Sequence, residues 1–527
     1  MVVRSAMERK GKRKLAECEK NVIATDCPIV VCLPETMTEI FVCIALLGLL
    51  VRSAVSTHPY SGAGVPPKFG DYEAQRHWME ITLNLPPQEW YHNGTNNDLH
   101  YWGLDYPPLT AYQSYLHGLI LQRFLPESVA LHSSRGYESY FGKLLMRWTV
   151  LSSDLIILFP AVLWFAIVKY GNHVGNKRVD VARHLVVLLI NPCLILIDHG
   201  HFQYNCISLG FAIAAVAAVL SDKDLFGSVL FCLSLNHKQM SAYFAPAFFS
   251  HLLGKSIRQK HAILQVLKLG LVVSGTFAAV WWPYLHSRSD LVQVLLRLAP
   301  FERGIYEDYV ANFWCTTSVL IKWKRLFSIQ SLRLCSLAAT LLACLPSMVH
   351  QILNPSSKGF LYGLLNSAFS FYLFSFQVHE KSILLPLMPA TLLALEWPWL
   401  FFIFVHYAMF SMFPLMLRDN LFTAYVGLYA MFSFLFLGLI GKQHIRSLRP
   451  VAIAKGPILV IALYVCSLGL HFLYLTIKPP FKYPFLFEAM IMLLCFLHFS
   501  LFAVYMNAKQ WMLAREETRI GKGKKWD

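Results

Sequence analysis

Residues 38–56 read TEIFVCIALLGLLVRSAVS, and the polar stretches HPYSGAG at 58–64 and FGDYEAQRHW at 69–78 follow close behind. The apolar stretch is about as long as the 20 residues that a helix needs to cross a bilayer. The polar stretches open a loop over 57–143 that carries many acidic and aromatic side chains. Acidic groups directly outside an apolar span commonly serve chemistry or transport. The pattern predicts a membrane protein whose working residues lie in this loop, Asp71 first among them.

The composition excludes a large soluble domain. Of the 527 residues, 56% are hydrophobic and only 14% are charged, whereas soluble domains carry about 25% charged residues. The formal net charge of +16 is spread over short loops and tails, which indicates membrane topology and not a nucleic-acid partner. The twelve Cys show no paired spacing of the zinc or redox kind, so a disulfide scaffold is not expected.

The apolar runs predict an all-α polytopic membrane protein with about 14 transmembrane helices. Some runs are short, notably 225–236 and 382–394, which is tolerated where a segment lines a cavity inside the protein. The predicted spans are residues 38–56, 144–169, 184–198, 203–220, 225–236, 239–253, 264–283, 330–350, 359–376, 382–394, 397–416, 418–440, 456–477 and 484–506.

Basic loops set the expected orientation. Lys and Arg are concentrated in 171–183, 254–261 and 441–455, and such loops face the cytosol. The leader 1–37 and the tail 507–527 are basic as well, so both termini are expected in the cytosol. This requires an even number of crossings, which fourteen satisfies.

The opposite face of the membrane gathers the polar clusters. The loop 284–328 is expected there, with 312–328 as an interfacial segment, because its apolar part is shorter than the roughly 17 residues of the shortest spans. The convergence of polar groups on one face predicts a single site. The clusters are the first loop 57–143 and residues 198–205, 236–239, 300–309 and 377–381.

Two short signals place that face in the lumen of the endoplasmic reticulum. Asn93-Gly94-Thr95 is an acceptable N-glycosylation sequon in the first loop. Lys524 and Lys525 stand third and fourth from the end, as in the dilysine retrieval signals of membrane proteins in that organelle. The alternative is a plain basic tail, which only positive-inside bias would require.

Several motifs together resemble one family closely, over nearly the whole chain. The chain is similar to the dolichyl-phosphate-glucose-dependent α-1,3-glucosyltransferases of asparagine-linked glycosylation. Two sister enzymes of this family act in sequence, and the form of residues 70–76 resembles the enzyme that adds the first glucose. The matching motifs are residues 58–64, 69–78, 101–110, 198–205, 300–309 and 378–381.

The resemblance implies a membrane-embedded glycosyltransferase of the GT-C fold. The implied donor is dolichyl phosphate glucose, and the implied acceptor is the dolichyl-pyrophosphate-linked oligosaccharide with nine mannoses. Transfer from a β-linked donor into an α-1,3 linkage inverts configuration in one displacement. The family is metal-independent, so no cofactor is expected.

Acids of the first loop are the candidates for proton transfer. Single displacement needs a base for the attacking hydroxyl, and the resemblance assigns that role to Asp71. The alternative is that Asp71 caps the helix expected over 73–83. Glu73 is expected to orient groups or bind the acceptor, or to be an acid favoured in a first helical turn. Asp105 is expected to bind sugar hydroxyls or to form a turn.

The phosphate of the leaving group needs cationic or hydrogen-bonding partners. Such side chains could also simply reach toward the membrane interface. His199 and His201 suggest a metal pair, but i,i+2 spacing turns the two imidazoles to different faces of a helix, which favours phosphate contact over metal binding. The candidate phosphate ligands are His199, His201, Lys238, Arg303, His379 and Lys381.

Aromatic side chains of the first loop have two possible roles. Trp78, Trp90, Tyr101 and Trp102 could stack on sugars or form an aromatic belt at the membrane interface. The belt is the expectation for most of them.

Three other functions remain open on the sequence. The sister enzyme that adds the second glucose is the alternative within the family. A multispan transporter would also use His, Lys and Asp near helix breaks, but the chain shows no internal repeat and its charges gather on one side. A structural subunit of a glycosylation complex would leave Asp71 dispensable.

Overall fold

A computed structural model describes residues 35–171, 177–298, 309–444 and 456–523, which contain helices and no strand. The chain divides into two compact units, Met1–Cys43 and Ile44–Asp527. The described part of the first unit is helical. Most of the leader 1–37, together with Arg303, Lys524 and Lys525, lies outside the described residues.

The helices of the described residues follow in chain order. In the first half they are Glu35–Ser56, Asp71–Asn84, Pro108–Phe124, Tyr140–Ser153, Phe159–Tyr170, Lys177–Leu189, Pro192–Ile195, Asn205–Leu220, Asp224–His237, Ala245–Ile257, Ala262–Trp281 and Arg288–Leu298. In the second half they are Phe313–Thr317, Trp323–Leu326, Ile329–Leu353, Ser357–Phe374, Leu384–Leu392, Pro398–Ser411, Phe413–Arg418, Phe422–His444, Gly456–Thr476 and Leu486–Gly523. Two π-helical turns, Asp154–Leu158 and Leu196–Phe202, continue the helices before them.

Seven helices of the described chain are long and apolar enough to cross a membrane, which confirms an all-α membrane protein. Three shorter apolar helices accompany them, Asn205–Leu220, Pro398–Ser411 and Tyr464–Thr476. The total of fourteen crossings stays a prediction. The segment 312–328 forms two helices of five and four residues, both too short to cross.

Small side chains let the central helices approach closely. The helix Asn205–Leu220 reads NCISLGFAIAAVAAVL and is buried along almost all of its length. Gly210 is an example of a position that needs a small residue, because a Cβ there would lie 3.2 Å from the backbone of Leu158. Close backbone packing of this kind is how helices associate in lipid, where apolar side chains alone give no preference. Short helices such as this one are therefore held by protein on all sides.

The first loop folds into a small helical layer, and Trp281, Tyr284 and Val294 complete its hydrophobic core. Its helices Asp71–Asn84 and Pro108–Phe124 pack together. Trp78 and Trp90 are each only 4% exposed within this core. The expected interfacial belt is therefore wrong for these two residues, because burial inside the loop satisfies their large rings. A rigid loop core can hold its acids in fixed positions.

Candidate active site

Asp71 is the first residue of the helix Asp71–Asn84, and the capping residue is Gly70. Gly70 has no side chain to cap this helix end, and the backbone N–H of Asp71 donates to Ser61 Oγ at 3.4 Å, so the capping alternative for Asp71 is wrong. A Cβ on Gly70 would lie 2.4 Å from the backbone oxygen of Ser61. Only glycine allows the chain to pass Ser61 this closely, and the close passage directs Asp71 into the protein interior.

The Asp71 carboxylate is bound through one oxygen by three side chains from distant parts of the chain. Its Oδ2 accepts from Lys381 Nζ at 2.6 Å and from Gln203 Nε2 at 2.5 Å, and it lies 3.1 Å from His201 Nε2. Asp71 Oδ1 accepts no hydrogen bond from any residue that the structure describes. The side chain remains 24% exposed. One carboxylate oxygen is thus fixed and the other is available to a bound molecule.

Two opposing effects act on the charge of Asp71. Burial acts to raise the pKa of Asp71, but the neighbouring Lys381 and His201 outweigh burial and hold this pKa well below its usual range. Asp71 is therefore ionised at neutral pH. It is a weak base for as long as Lys381 remains bound to it.

Both candidate histidines, His199 and His201, lie within the π-helical turn Leu196–Phe202. His199 Nε2 lies 2.5 Å from Asp154 Oδ2, to which Arg52 also donates at 2.9 Å. His201 points the other way, toward Asp71. The two imidazoles thus face different partners, as their spacing predicts. His199 holds helices together inside the membrane and does not belong to the described lining of the cavity, so its predicted phosphate contact is not supported.

Unfavourable backbone conformations gather around this site. Phe202, between His201 and Gln203, has φ of 92°, which is costly for a residue with a side chain. This turn brings His201 and Gln203 to the same carboxylate although they are only two positions apart. Five of the seven non-glycine residues with positive φ in the described chain line the cavity or adjoin a lining residue: Phe69, Trp102, Phe202, Gln377 and Asn420. Such strain concentrates at functional sites.

Lys238 approaches the site from the end of the helix Asp224–His237. Its Nζ donates to Gln203 Oε1 at 2.9 Å and to Asn205 Oδ1 at 2.6 Å, and it lies 5.0 Å from the centroid of the Tyr106 ring. Burial lowers the pKa of Lys238 to about 8, although the nearby charge of Asp198 opposes this shift. Because Gln203 also donates to Asp71, a continuous chain of hydrogen bonds connects the second lysine to the carboxylate.

Asp71 opens into a cavity of about 1030 Å³. Of the predicted site residues, those in its lining are Asp71, Asp105, His201, Lys238, His379 and Lys381. The lining also contains residues with charged, imidazole or amide side chains that were not predicted as site residues: Lys68, Gln75, His100, Gln203, Asn205, Gln239, Arg297, Arg333, Gln377, Glu380, Arg418 and Asp419. Asp419 follows Arg418 between two apolar helices, and charged groups at such a break are the signal that would have indicated them.

Glu73 lies away from the cavity. Arg76 binds its carboxylate through two hydrogen bonds of 2.7 Å, and Tyr101 Oη and the backbone N–H of Gly136 donate to it at 2.8 and 3.0 Å. Glu73 is only 2% exposed. These four bonds occupy its oxygens, so the geometry assigns Glu73 a structural role in the loop and not the predicted contact with the acceptor.

One end of the cavity is apolar and reaches the outer surface of a candidate span. The helix Ile329–Leu353 presents Arg333, Leu337 and Leu341 to the cavity on one face. Leu337 and Leu341 are 57% and 53% exposed. The cavity therefore connects charged side chains with a surface suited to lipid.

The fold and the site define an integral membrane enzyme. A partly exposed, ionised carboxylate lies beside two lysines in a cavity that also reaches lipid-facing surface. This combination suits transfer chemistry on a lipid-linked anionic substrate, because the cations bind the anion and the carboxylate can accept a proton.

Comparison with known proteins gives the family. The sequence model of the ALG6, ALG8 glycosyltransferase family matches residues 44–505. An Arabidopsis thaliana protein named "Probable dolichyl pyrophosphate Man9GlcNAc2 alpha-1,3-glucosyltransferase" is 62% identical over 494 residues, which cover 93% of this chain and 92% of that protein. This chain belongs to the ALG6, ALG8 glycosyltransferase family.

Animal and fungal relatives carry the same activity in their names. A Rattus norvegicus "Dolichyl pyrophosphate Man9GlcNAc2 alpha-1,3-glucosyltransferase" is 43% identical over 486 residues, covering 88% of this chain and 95% of that protein. A "probable" enzyme of that name from Schizosaccharomyces pombe is 38% identical over 483 residues, covering 90% and 91% of the two chains. The range matched by the family model, residues 44–505, contains the residues that line the cavity.

Proposed function

We propose that this protein transfers glucose from dolichyl phosphate glucose to the dolichyl-pyrophosphate-linked oligosaccharide with nine mannoses, forming its first α-1,3-linked glucose. The observation that carries the proposal is Asp71, whose Oδ1 is available in a cavity that contains lysines and reaches lipid-facing surface. The names of the relatives support the acceptor. The lipid-facing end of the cavity supports a donor attached to a long apolar chain.

Asp71 acts as the general base in this proposal. The attacking mannose hydroxyl gives its proton to Asp71 Oδ1 while its oxygen forms a bond to C1 of glucose. The bond between C1 and the phosphate oxygen breaks at the opposite face of the sugar, which inverts configuration. The electron pair of that bond stays on the phosphate, which leaves as dolichyl phosphate. The residues named here need no metal for these steps.

Lys381 has a double role in the proposal. In the absence of substrate its ammonium group neutralises Asp71. The donor phosphate offers a second anion, so Lys381 can shift toward the developing charge of the leaving group. The shift would raise the basicity of Asp71 when the acceptor hydroxyl is in place. Lys238, His379 and Asp105 line the same cavity and are proposed to bind phosphate or sugar hydroxyls, and Arg303 stays a proposed phosphate ligand.

The proposed location is the endoplasmic reticulum membrane, with a GT-C fold, the site in the lumen and both termini in the cytosol. The sequon at Asn93 supports a lumenal first loop, because Asn93 is exposed and therefore accessible for glycosylation. Its Oδ1 accepts from the backbone N–H of Leu99 at 3.1 Å, so the sequon lies on an accessible turn. Glycan occupancy at Asn93 is a direct test of this orientation.

A reconstitution assay tests the function. Purified protein in lipid is given synthetic dolichyl phosphate glucose with either the nine-mannose acceptor or its monoglucosylated form, in the presence of EDTA. We expect one glucose to be added to the nine-mannose acceptor, with undiminished rate in EDTA. Transfer only to the monoglucosylated acceptor would identify the sister enzyme, and loss of activity in EDTA would contradict metal independence. Movement of substrate across the membrane without glucose transfer would instead identify a transporter.

The variant Lys381→Met tests the phosphate contact. A hydrogen bond to a charged group contributes about 1.5–3 kcal/mol, so we expect kcat/KM for the donor to fall by about 10- to 100-fold, with part of the fall in kcat because Lys381 also stabilises the leaving phosphate. Donor titrations at saturating acceptor measure this change. Lys143→Met is the matched control, because Lys143 Nζ donates to the backbone oxygen of Thr57 outside the cavity lining. An unchanged kcat/KM for the donor in Lys381→Met would remove Lys381 from the phosphate site.

A further inference from the structure

Asp419 lies behind His201 as seen from Asp71. His201 Nδ1 lies 2.5 Å from Asp419 Oδ2, and His201 Nε2 lies 3.1 Å from Asp71 Oδ2. His201 and Asp419 are 2% and 6% exposed. The imidazole thus bridges an exposed carboxylate in the cavity and a buried one, and each ring nitrogen faces one of them.

The contacts assign a proton to one ring nitrogen of His201 and allow two states for the other. Asp419 has only acceptor oxygens when ionised, so the short contact requires His201 Nδ1 to donate. Lys381 Nζ lies 3.1 Å from His201 Nε2, and an ammonium group can only donate. His201 Nε2 lies equally close to Asp71 Oδ2, so this nitrogen accepts from Lys381 in the neutral ring and donates to Asp71 in the imidazolium ion. The neutral ring, whose unprotonated nitrogen faces Asp71, is the form that can take up a proton.

We propose that His201 takes the proton from Asp71 after glucose transfer, and that Asp419 is the positioning residue that orients the imidazole and stabilises its cation. The proposal rests on the proposed role of Asp71 as the base. It adds a route by which the base is regenerated, which the displacement step alone does not provide.

The proton count of this route is balanced. Transfer leaves one proton on Asp71, and the dianionic phosphate product draws Lys381 away from His201 Nε2. Rotation of the carboxyl group about its Cβ–Cγ bond turns the acidic proton toward this nitrogen. The O–H bond breaks, an N–H bond forms, and an imidazolium ion then lies between the carboxylates of Asp71 and Asp419. The imidazolium proton passes to water as products leave.

Among the described residues, few charged groups lie close enough to His201 to affect proton transfer to its imidazole. Asp71, Lys381 and Asp419 contact the imidazole directly. Arg147 donates to the backbone oxygen of Gly200 at 2.9 Å and lies over the ring of Phe202, so it holds the same segment. With His201 as a cation, the two carboxylates balance the charges of His201 and Lys381.

The pH dependence of turnover distinguishes this role from a purely structural one. His201 must be neutral to accept a proton, so kcat falls at acidic pH as the ring becomes protonated. Removing the carboxylate in Asp419→Asn makes the cation harder to form. We expect kcat at the optimum to fall about 10- to 100-fold, donor KM to stay within about threefold, and the acidic limb of the kcat profile to move down by about one pH unit.

Two further variants keep the test decisive. Asp419→Glu restores a carboxylate and should return the acidic limb to the wild-type pH, even if kcat recovers only in part. His199→Gln, on the same π-helical turn, should reduce the yield of folded enzyme without moving the limb. The test requires Asp419→Asn protein that elutes as a single species and binds donor. In such protein, an acidic limb that stays in place or moves to higher pH would overturn the proposal.

Parallel measurement of Asp71→Asn separates this inference from the function on which it rests. If Asp71→Asn keeps full activity, the base assignment itself is wrong. If Asp71→Asn is inactive but the acidic limb of Asp419→Asn is unchanged, only the role of His201 and Asp419 is wrong.

Discussion

Asp71→Asn is expected to lower kcat for glucose transfer by about 10²- to 10⁴-fold, the usual contribution of a general base. The amide has nearly the shape of the carboxylate, and its oxygen can still accept from Lys381 and Gln203. The site should therefore keep its form and bind donor to within a few-fold of wild type. An amide cannot accept a proton at neutral pH, so the displacement loses its base. Single-turnover transfer with excess enzyme measures the chemical step directly.

The matched control for Asp71→Asn is Asp98→Asn in the same loop. Asp98 Oδ1 accepts from the backbone N–H of His100 at 2.9 Å, and Asp98 lies outside the described cavity lining. The same loss of charge there should change kcat by less than about twofold, because the residue does not touch the reacting groups. Full transfer by Asp71→Asn would show that another group accepts the proton, and failure of donor binding would show that the carboxylate is needed for the form of the site.

Arg76→Met is expected to destabilise the first loop by about 3–5 kcal/mol, the usual effect of removing one partner from a buried ion pair. Arg76 is 1% exposed and donates to both Glu73 and Glu80. It also donates to Ser128 O and Ser134 Oγ at 2.9 and 2.6 Å. Met fills similar volume but leaves two buried carboxylates without their cation. A lower melting temperature and earlier proteolysis within 57–143 would record the change.

Arg135→Met is the control for this loss of charge. The Arg135 guanidinium lies 4.8 Å from the centroid of the Tyr101 ring, and the residue is half-buried, so the contact contributes about 0.5–2 kcal/mol. Its loss should therefore have a smaller effect than Arg76→Met. Equal stability of Arg76→Met and wild type would contradict the structural role assigned to the Glu73–Arg76–Glu80 network.

The same network predicts how the loop responds to acid. Burial acts to raise the pKa of Glu80, but His77 and Arg76 outweigh burial and lower this pKa from 4.5 to about 2. A carboxylate with a lowered pKa in the folded state stabilises the fold above the unfolded pKa. The contribution of Glu80 is therefore complete above about pH 4.5 and is lost as the pH falls toward 2. Loss of stability in this window should be smaller in Arg76→Met.

The sequence predicted the helical membrane fold well because long apolar runs have few alternatives in lipid. Individual crossings were harder to predict. The candidate membrane span Val179–Phe202 continues to the site residue His201, whereas hydropathy ended that span at 198. Its last turn is π-helical and fully buried by protein, so its polar side chains need no water. Local hydropathy cannot register such burial, because the partners come from distant segments.

The sequence predicted only those site residues that lie in local polar motifs. Asp71, His201 and Lys381 lie in polar motifs next to apolar runs, and all three meet in the cavity. Glu73 belongs to the same motif as Asp71 but is turned away by the helix and bound by Arg76. Asp419 contacts His201 from 218 positions further along the chain, so only packing brings the two together. Contacts that form only through tertiary structure cannot be predicted from a local sequence pattern.

The apolar end of the cavity, at Leu337 and Leu341, has a kinetic consequence. If both substrates are anchored by dolichyl chains, they meet the enzyme by diffusion in the plane of one leaflet. Their effective concentration is then a number per unit area, set by their mole fraction among the surrounding lipids. Added inert phospholipid would slow the reaction by surface dilution, while a larger volume of buffer around the same vesicles would leave its rate unchanged.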